Sequence, residues 1–161
     1  KKAFLIKMIP EIGLIRQELR VAQLAEYFKP IQIQNGCKLT LAGSSGKKIF
    51  FIKEGELQLS SLVSFKREDN STFTRECNIS TVPAPCIVGE ESLESPHIYK
   101  YTATVRSAFI TGYLFEPSPN LVDFASFPLY SILFKGFKIK EKCRKLIIAS
   151  IRERDCDTTP A

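Results

Sequence analysis

The sequence predicts a mainly β domain, an antiparallel barrel or sandwich, with helices at both ends. Three observations carry this. Apolar residues keep helical spacing from about Phe4 to Phe28, change to short alternating or fully apolar runs from Ile31 to about Gly112, and return to helical spacing after Pro117-Ser118-Pro119. Glycines recur through the middle stretch, at Gly36, Gly43, Gly46 and Gly55, where turns between short strands need them. The 161 residues are enough for one sizeable core but not for two.

Taken in order, Leu5, Ile9, Ile12, Ile15, Leu19, Ala22 and Ala25 lie at helical spacing over about residues 4–28. Pro10 and Gly13 divide this into a short helical turn and a longer helix from about Arg16 to Tyr27, which Pro30 stops. The runs Ile31-Gln32-Ile33, Lys38-Leu39-Thr40-Leu41, Ile49-Phe50-Phe51-Ile52 and Glu56-Leu57-Gln58-Leu59 read as strands. Lys66 to Asn78 is polar and charged and reads as a long hairpin loop. Val88-Gly89-Glu90-Glu91-Ser92-Leu93 reads as a glycine-acid turn into one helical turn, with the β-branched strand Thr102-Ala103-Thr104-Val105 after a short loop. Two helices complete the chain over about residues 120–154. The first runs from Leu121 to Leu133, the second from Gly136 to about Arg154, with Ile139, Cys143, Leu146, Ile147 and Ile151 on one apolar face.

Composition excludes several classes. A 44% hydrophobic and 25% charged content is that of a folded soluble domain. No apolar run reaches the ~18 residues of a membrane span, and no signal peptide is recognisable. Five scattered cysteines without a Cys-x-x-Cys pair speak against a disulfide scaffold or a zinc site and fit a reducing compartment, so a cytoplasmic protein is expected. The net charge of +6 comes with a basic C-terminal run (Lys135, Lys138, Lys140, Lys142, Arg144, Lys145, Arg152, Arg154). Stacking motifs and a recognition helix are lacking, so this run reads as a solvated helix face and no nucleic-acid partner is expected. The only histidine, His97, reads as a solvent-exposed loop residue, which excludes histidine triads and multi-histidine metal sites. Sequence-adjacent carboxylates such as Glu90-Glu91 point in different directions, whereas acid–base catalysis needs convergence. A binding domain rather than an enzyme is expected, with no cofactor and no metal.

Residues 88–93 carry the chemistry. A helical turn after Gly89 presents backbone N–H groups that stabilise an anion without any side chain. A carboxylate aimed at that anion would repel it, so Glu90 suits a neighbouring hydroxyl instead. Amides for an anion and one carboxylate for a hydroxyl match a small sugar phosphate.

Gly-Glu-x-x-Leu over residues 89–93, followed by Thr-Ala-Thr-Val-basic over residues 102–106, resembles the phosphate-binding cassette of the cyclic nucleotide-binding domain family. The upstream run Asn35 to Leu57, with glycines at 36, 43, 46 and 55, is similar to the first strands of that family's barrel. The resemblance covers roughly residues 4–150 and implies an eight-stranded antiparallel barrel of jelly-roll type over about 31–114, with N-terminal helices and C-terminal hinge helices in a single domain over 1–161. It also implies a ligand, cGMP or cAMP or a related purine, between cassette and barrel. Gly89 and the backbone of Ser92 and Leu93 would face the phosphate, Glu90 the ribose hydroxyl, and Thr102 the base or the phosphate, a threonine there going with a preference for cGMP.

The family places an arginine just before the Thr-Ala pair that Thr102 and Ala103 form here, and that position holds Tyr101. Neighbouring Lys100 offers a point charge rather than a planar fork. Losing a charge-assisted hydrogen bond costs about 1.5–3 kcal/mol. The resemblance implies a regulatory module whose C-terminal helices, swinging about a hinge near Phe115 to Pro119, relay binding to a neighbouring regulatory or kinase domain. The alternatives are a degenerate domain with a structural or protein-interaction role, or one that takes a nucleoside.

Overall fold

The computed structural model describes residues 1–10, 25–94, 96–116 and 129–157. Helix α1 (Lys2–Met8) is followed by strands β1 (Phe28–Gln34), β2 (Lys38–Thr40), β3 (Ile49–Glu54), β4 (Glu56–Lys66), β5 (Thr72–Pro83) and β6 (Cys86–Val88). A 3-10 turn (Glu90–Leu93) precedes β7 (Thr102–Val105) and β8 (Phe109–Phe115), and helix α2 (Leu129–Asp157) comes last. The strands form two antiparallel sheets in the orders β1-β8-β3-β6 and β2-β7-β4-β5. The expected jelly roll is present. It is built as two four-stranded sheets that do not close into a barrel.

Strand β3 explains how the layers hold together. Ile49, Phe50, Phe51 and Ile52 are all buried, because both faces of the strand are covered. Phe50 and Ile52 join Leu57, Leu59, Ala103, Val105 and Ile110 between the sheets. Ile49 and Phe51 point the other way, into a second cluster with Phe28, Phe115, Leu5, Ile9 and Leu133. Phe28 there stacks on Phe115 at 4.8 Å and meets the edge of Phe51 at 5.0 Å. Cores of this density are what fix the sheet positions.

Several expectations need correction. Pro30 does not end a helix: it lies inside β1, which begins at Phe28 rather than Ile31. β1 is an edge strand with β8 as its single neighbour, so a residue without an N–H is tolerated. The stretch 66–78 is not a long loop. β4 and β5 pair from Glu56↔Pro83 to Lys66↔Thr72, leaving only residues 67–71 as the turn. Their outer alternate positions are polar because they face water, with the Arg75 guanidinium 4.9 Å from the Phe65 ring. The helix boundary placed at Gly136 does not exist either, since α2 runs unbroken through it. Most of the Arg16–Tyr27 helix, the 117–119 hinge and the start of the Leu121 helix lie outside the described residues.

Candidate functional site

The glycine-acid turn leaves β6 at Val88. Gly89 adopts φ +92°, and a Cβ there would meet the Lys48 carbonyl oxygen at 2.5 Å, so no other residue fits without displacing the backbone of β3's approach. The 3-10 turn that follows is folded inward, with Glu90, Glu91 and Ser92 all buried. Ser92 spends both of its donors locally: its N–H and its hydroxyl each bond to Gly89 O, at 3.1 and 2.7 Å. Both donors are thus engaged within the turn itself. Leu93 is half-buried against the outer core.

Glu90 is 1% exposed. Its Oε1 accepts from Lys140 Nζ of α2 at 2.5 Å, and the same ammonium donates to Ile87 O at 3.0 Å. Its Oε2 is covered and, among the described residues, takes no hydrogen bond. A buried carboxylate oxygen without a donor is costly, and such atoms concentrate where a function needs them. Glu91 beside it is pushed up to about 7, chiefly by burial and next by the Glu90 charge, against the opposing pull of backbone N–H groups and Arg144.

Tyr101, at the position where an arginine was looked for, is buried, and the Arg144 guanidinium of α2 lies 4.5 Å from its ring centroid. A planar cation over an aromatic face is a favourable contact when desolvated. Lys100 turns towards α2 instead of the cassette interior. Its Nζ donates to Glu141 Oε1 at 2.9 Å and lies 5.4 Å from the Phe137 ring centroid. Burial lowers the Lys100 pKa, but the hydrogen bond and charge of Glu141 outweigh it and leave the ammonium above its ordinary value. Phe137, fully buried, joins the inter-sheet core.

Thr102 and Ala103 are buried at the start of β7. The Thr102 hydroxyl accepts from the Ala42 N–H at 2.9 Å, which occupies one of its two acceptor positions. Ala103 N–H donates to Thr40 Oγ1 at 3.1 Å, and Thr40 Oγ1 in turn donates to Tyr101 O at 2.9 Å. The structure thus brings Glu90, Tyr101, Thr102 and Ala103 to one region, with Lys100 reaching instead to Glu141 of α2.

Sequence reasoning missed the residues that cover this region. Tyr99 ties the loop to β3's approach, its hydroxyl accepting from Lys48 N–H at 2.8 Å and donating to Lys48 O at 2.9 Å. His97 is half-buried, not a free loop residue, and its Nδ1 lies 2.8 Å from Ser92 O. Lys140 and Arg144 belong to the basic run read as a solvated face, yet Arg144 is buried, as is Glu141 between them. Of the five residues read as one apolar face, Ile139, Cys143 and Leu146 are exposed, whereas Ile147 and Ile151 are half-buried against the core. The available signal was the mixed-sign pattern Lys140-Glu141-Arg144, which a purely solvated basic face does not require.

No protein-family model matches the sequence, and no curated protein matches it. Solved structures do resemble it. The regulatory domain of Toxoplasma gondii PKA with cAMP superposes with a TM-score of 0.61 at 13% identity, covering 88% of this chain and 48% of that one. The catabolite activator protein of Thermus thermophilus gives 0.56 at 15%, covering 86% and 62%. A cyclic nucleotide-binding domain from Methylobacillus flagellatus gives 0.53 at 16%, covering 99% and 86%. The chain spans about half the length of the Toxoplasma domain. Among the described residues no helix is long and apolar enough to cross a membrane.

Proposed function

The chain has the fold of cyclic nucleotide-binding domains, and we propose that it is a regulatory module for cAMP or cGMP, acting in the cytosol through its C-terminal helix on an attached effector such as a kinase. One observation carries this reading: Glu90, 1% exposed, keeps an oxygen without a hydrogen-bond donor among the described residues. In the proposed complex that oxygen accepts from a ribose hydroxyl. The backbone following Gly89 faces the cyclic phosphate, with Tyr101, Thr102 and Ala103 alongside.

Helix α2 enters the mechanism through Lys140. Because Lys140 already holds the other oxygen of Glu90, a ligand that claims this carboxylate changes the contact that pins the helix. A ligand shifts a conformational equilibrium only by its differential affinity for the two states, and a bond shared between ligand and helix supplies that difference. Thr102 keeps one acceptor position and its O–H donor beside the bond from Ala42, so a base contact through this hydroxyl belongs to the same reading.

A second reading rests on Tyr101. With no arginine there, and with Arg144 stacked on its ring, the site also suits a nucleoside, or a domain that has given up ligand for a structural role. Calorimetric titration of the 161-residue chain with cAMP, cGMP, adenosine and guanosine separates these. Binding of a cyclic nucleotide that Glu90→Ala abolishes supports the module. Binding of the nucleosides alone moves the ligand class, and no binding by any of the four favours the structural role.

A further inference from the structure

The solvent face of α2 carries an apolar stripe. Ile139 and Leu146 are 68% and 73% exposed, and exposed Cys143 lies between them. The three stand at i, i+4 and i+7, on one line along the helix. Helix α2 packs on the sheets through its opposite side, with Phe137, Glu141 and Arg144 buried, and leaves this stripe exposed among the described residues. Isolated exposed apolar side chains are ordinary, but aligned ones at heptad spacing form the seam on which a second helix packs.

The charges beside the stripe specify the partner. Lys135 and Lys142 are exposed and stand on the stripe's own side of the helix, whereas Lys138 and Lys145, exposed further round, already pair with Glu141 at 3.7 Å each, and Lys138 also with Glu94 at 3.6 Å. We propose that this face docks an acidic amphipathic helix from another protein or domain, leucine-type side chains on the stripe and carboxylates against Lys135 and Lys142. A second copy of this chain is disfavoured, because symmetric pairing sets lysine against lysine. A lipid surface is disfavoured too: the stripe is one residue wide, and Lys142 lies within the face that would have to sink into the bilayer. The proposal is independent of the ligand reading, since none of these side chains belongs to the candidate site.

The test uses two synthetic helical peptides, identical in their leucine heptads, one with glutamates and one with lysines at the flanking positions. Fluorescence anisotropy with the 161-residue chain should show binding of the glutamate peptide only. That binding should weaken about tenfold or more between low and physiological salt, as expected of exposed charge pairs. Ile139→Ser with Leu146→Ser should remove it. Lys135→Glu with Lys142→Glu should transfer binding to the lysine peptide, a reversal that a misfolded variant could not produce. Equal binding of both peptides, or of neither, overturns the proposal. So does concentration-dependent dimerisation of the chain in sedimentation, or binding to phosphatidylserine vesicles, that is lost in the Ile139→Ser, Leu146→Ser variant while the peptides do not bind.

Discussion

Lys140 and Glu90 stand fifty positions apart in the chain, and their charged atoms are 2.5 Å apart in space. One joins the C-terminal helix to the cassette, the other is a buried carboxylate whose second oxygen takes no hydrogen bond among the described residues. The neighbouring contacts run parallel to this one: Lys100 to Glu141, and Tyr101 to Arg144, each pairing a cassette residue with a residue of α2. The helix is thus held by three neighbouring contacts to residues 90, 100 and 101.

Lys140→Met should release that hold. Removing one partner of a buried ion pair strands the other charge, at a cost of about 3–5 kcal/mol when both are buried, and less here because Lys140 is partly exposed. We expect a lower melting temperature and faster amide exchange across residues 133–151. If Lys140 competes with the ligand, cyclic nucleotide affinity should rise. Unchanged exchange in α2 would show that the pair does not secure the helix.

Tyr101→Arg should act on both sides of the site. It restores a planar cation for a phosphate, worth about tenfold or more in affinity as a charge-assisted bond. It also places that cation against Arg144 and beside Lys100, which should loosen α2. Calorimetry and hydrogen exchange on the same variant test the two effects together. Tighter binding with undiminished helix protection would mean that Arg144 finds another partner.

Glu91 gives the domain a pH dependence. Its pKa is raised from the ordinary 4.5 to about 7, with burial the main cause and the Glu90 charge next. A carboxyl with the higher pKa in the folded state binds more protons folded than unfolded between those two values. Its contribution is therefore complete below about pH 4.5 and is lost as the pH rises through about 7. We expect urea midpoints to decline across that window and Glu91→Gln to flatten the decline. Parallel pH profiles for the two proteins would assign the slope to other groups.

Two glycines should respond oppositely. Gly89→Ala forces a side chain into φ +92° and against the Lys48 carbonyl, and should cost about 1–3 kcal/mol or prevent folding. Gly136 sits within α2 with nothing within 4 Å of an added Cβ, so Gly136→Ala should stabilise by about 0.5–1 kcal/mol. Chemical denaturation of both variants checks the pair. A destabilised Gly136→Ala would mean that the helix needs its local freedom there.

How much of this was legible beforehand follows from which interactions are local. The change from helical to strand spacing and back, and the glycine at a turn of positive φ, are properties of a few consecutive residues, so the strand-rich middle, five of its strands and the cassette turn could be read directly, while the number eight came from the family resemblance. Pro30 misled because a proline stops a helix and suits an edge strand equally well, and only the sheet order makes β1 an edge. The polar run after Lys66 misled because alternation weakens when one face of a hairpin lies in water. The orientation of α2 was beyond local reading. Period 3.6 identifies Ile139, Cys143 and Leu146 as one face and Phe137, Glu141 and Arg144 as another, but it does not say which face is covered. The tertiary structure decided that through contacts 41 to 50 residues apart, where Glu90 and Lys100 find Lys140 and Glu141, and through Phe137 entering the inter-sheet core. Paired charges and one aromatic outweighed the apolar stripe because a buried carboxylate without a cation is far more costly than an isoleucine left in water.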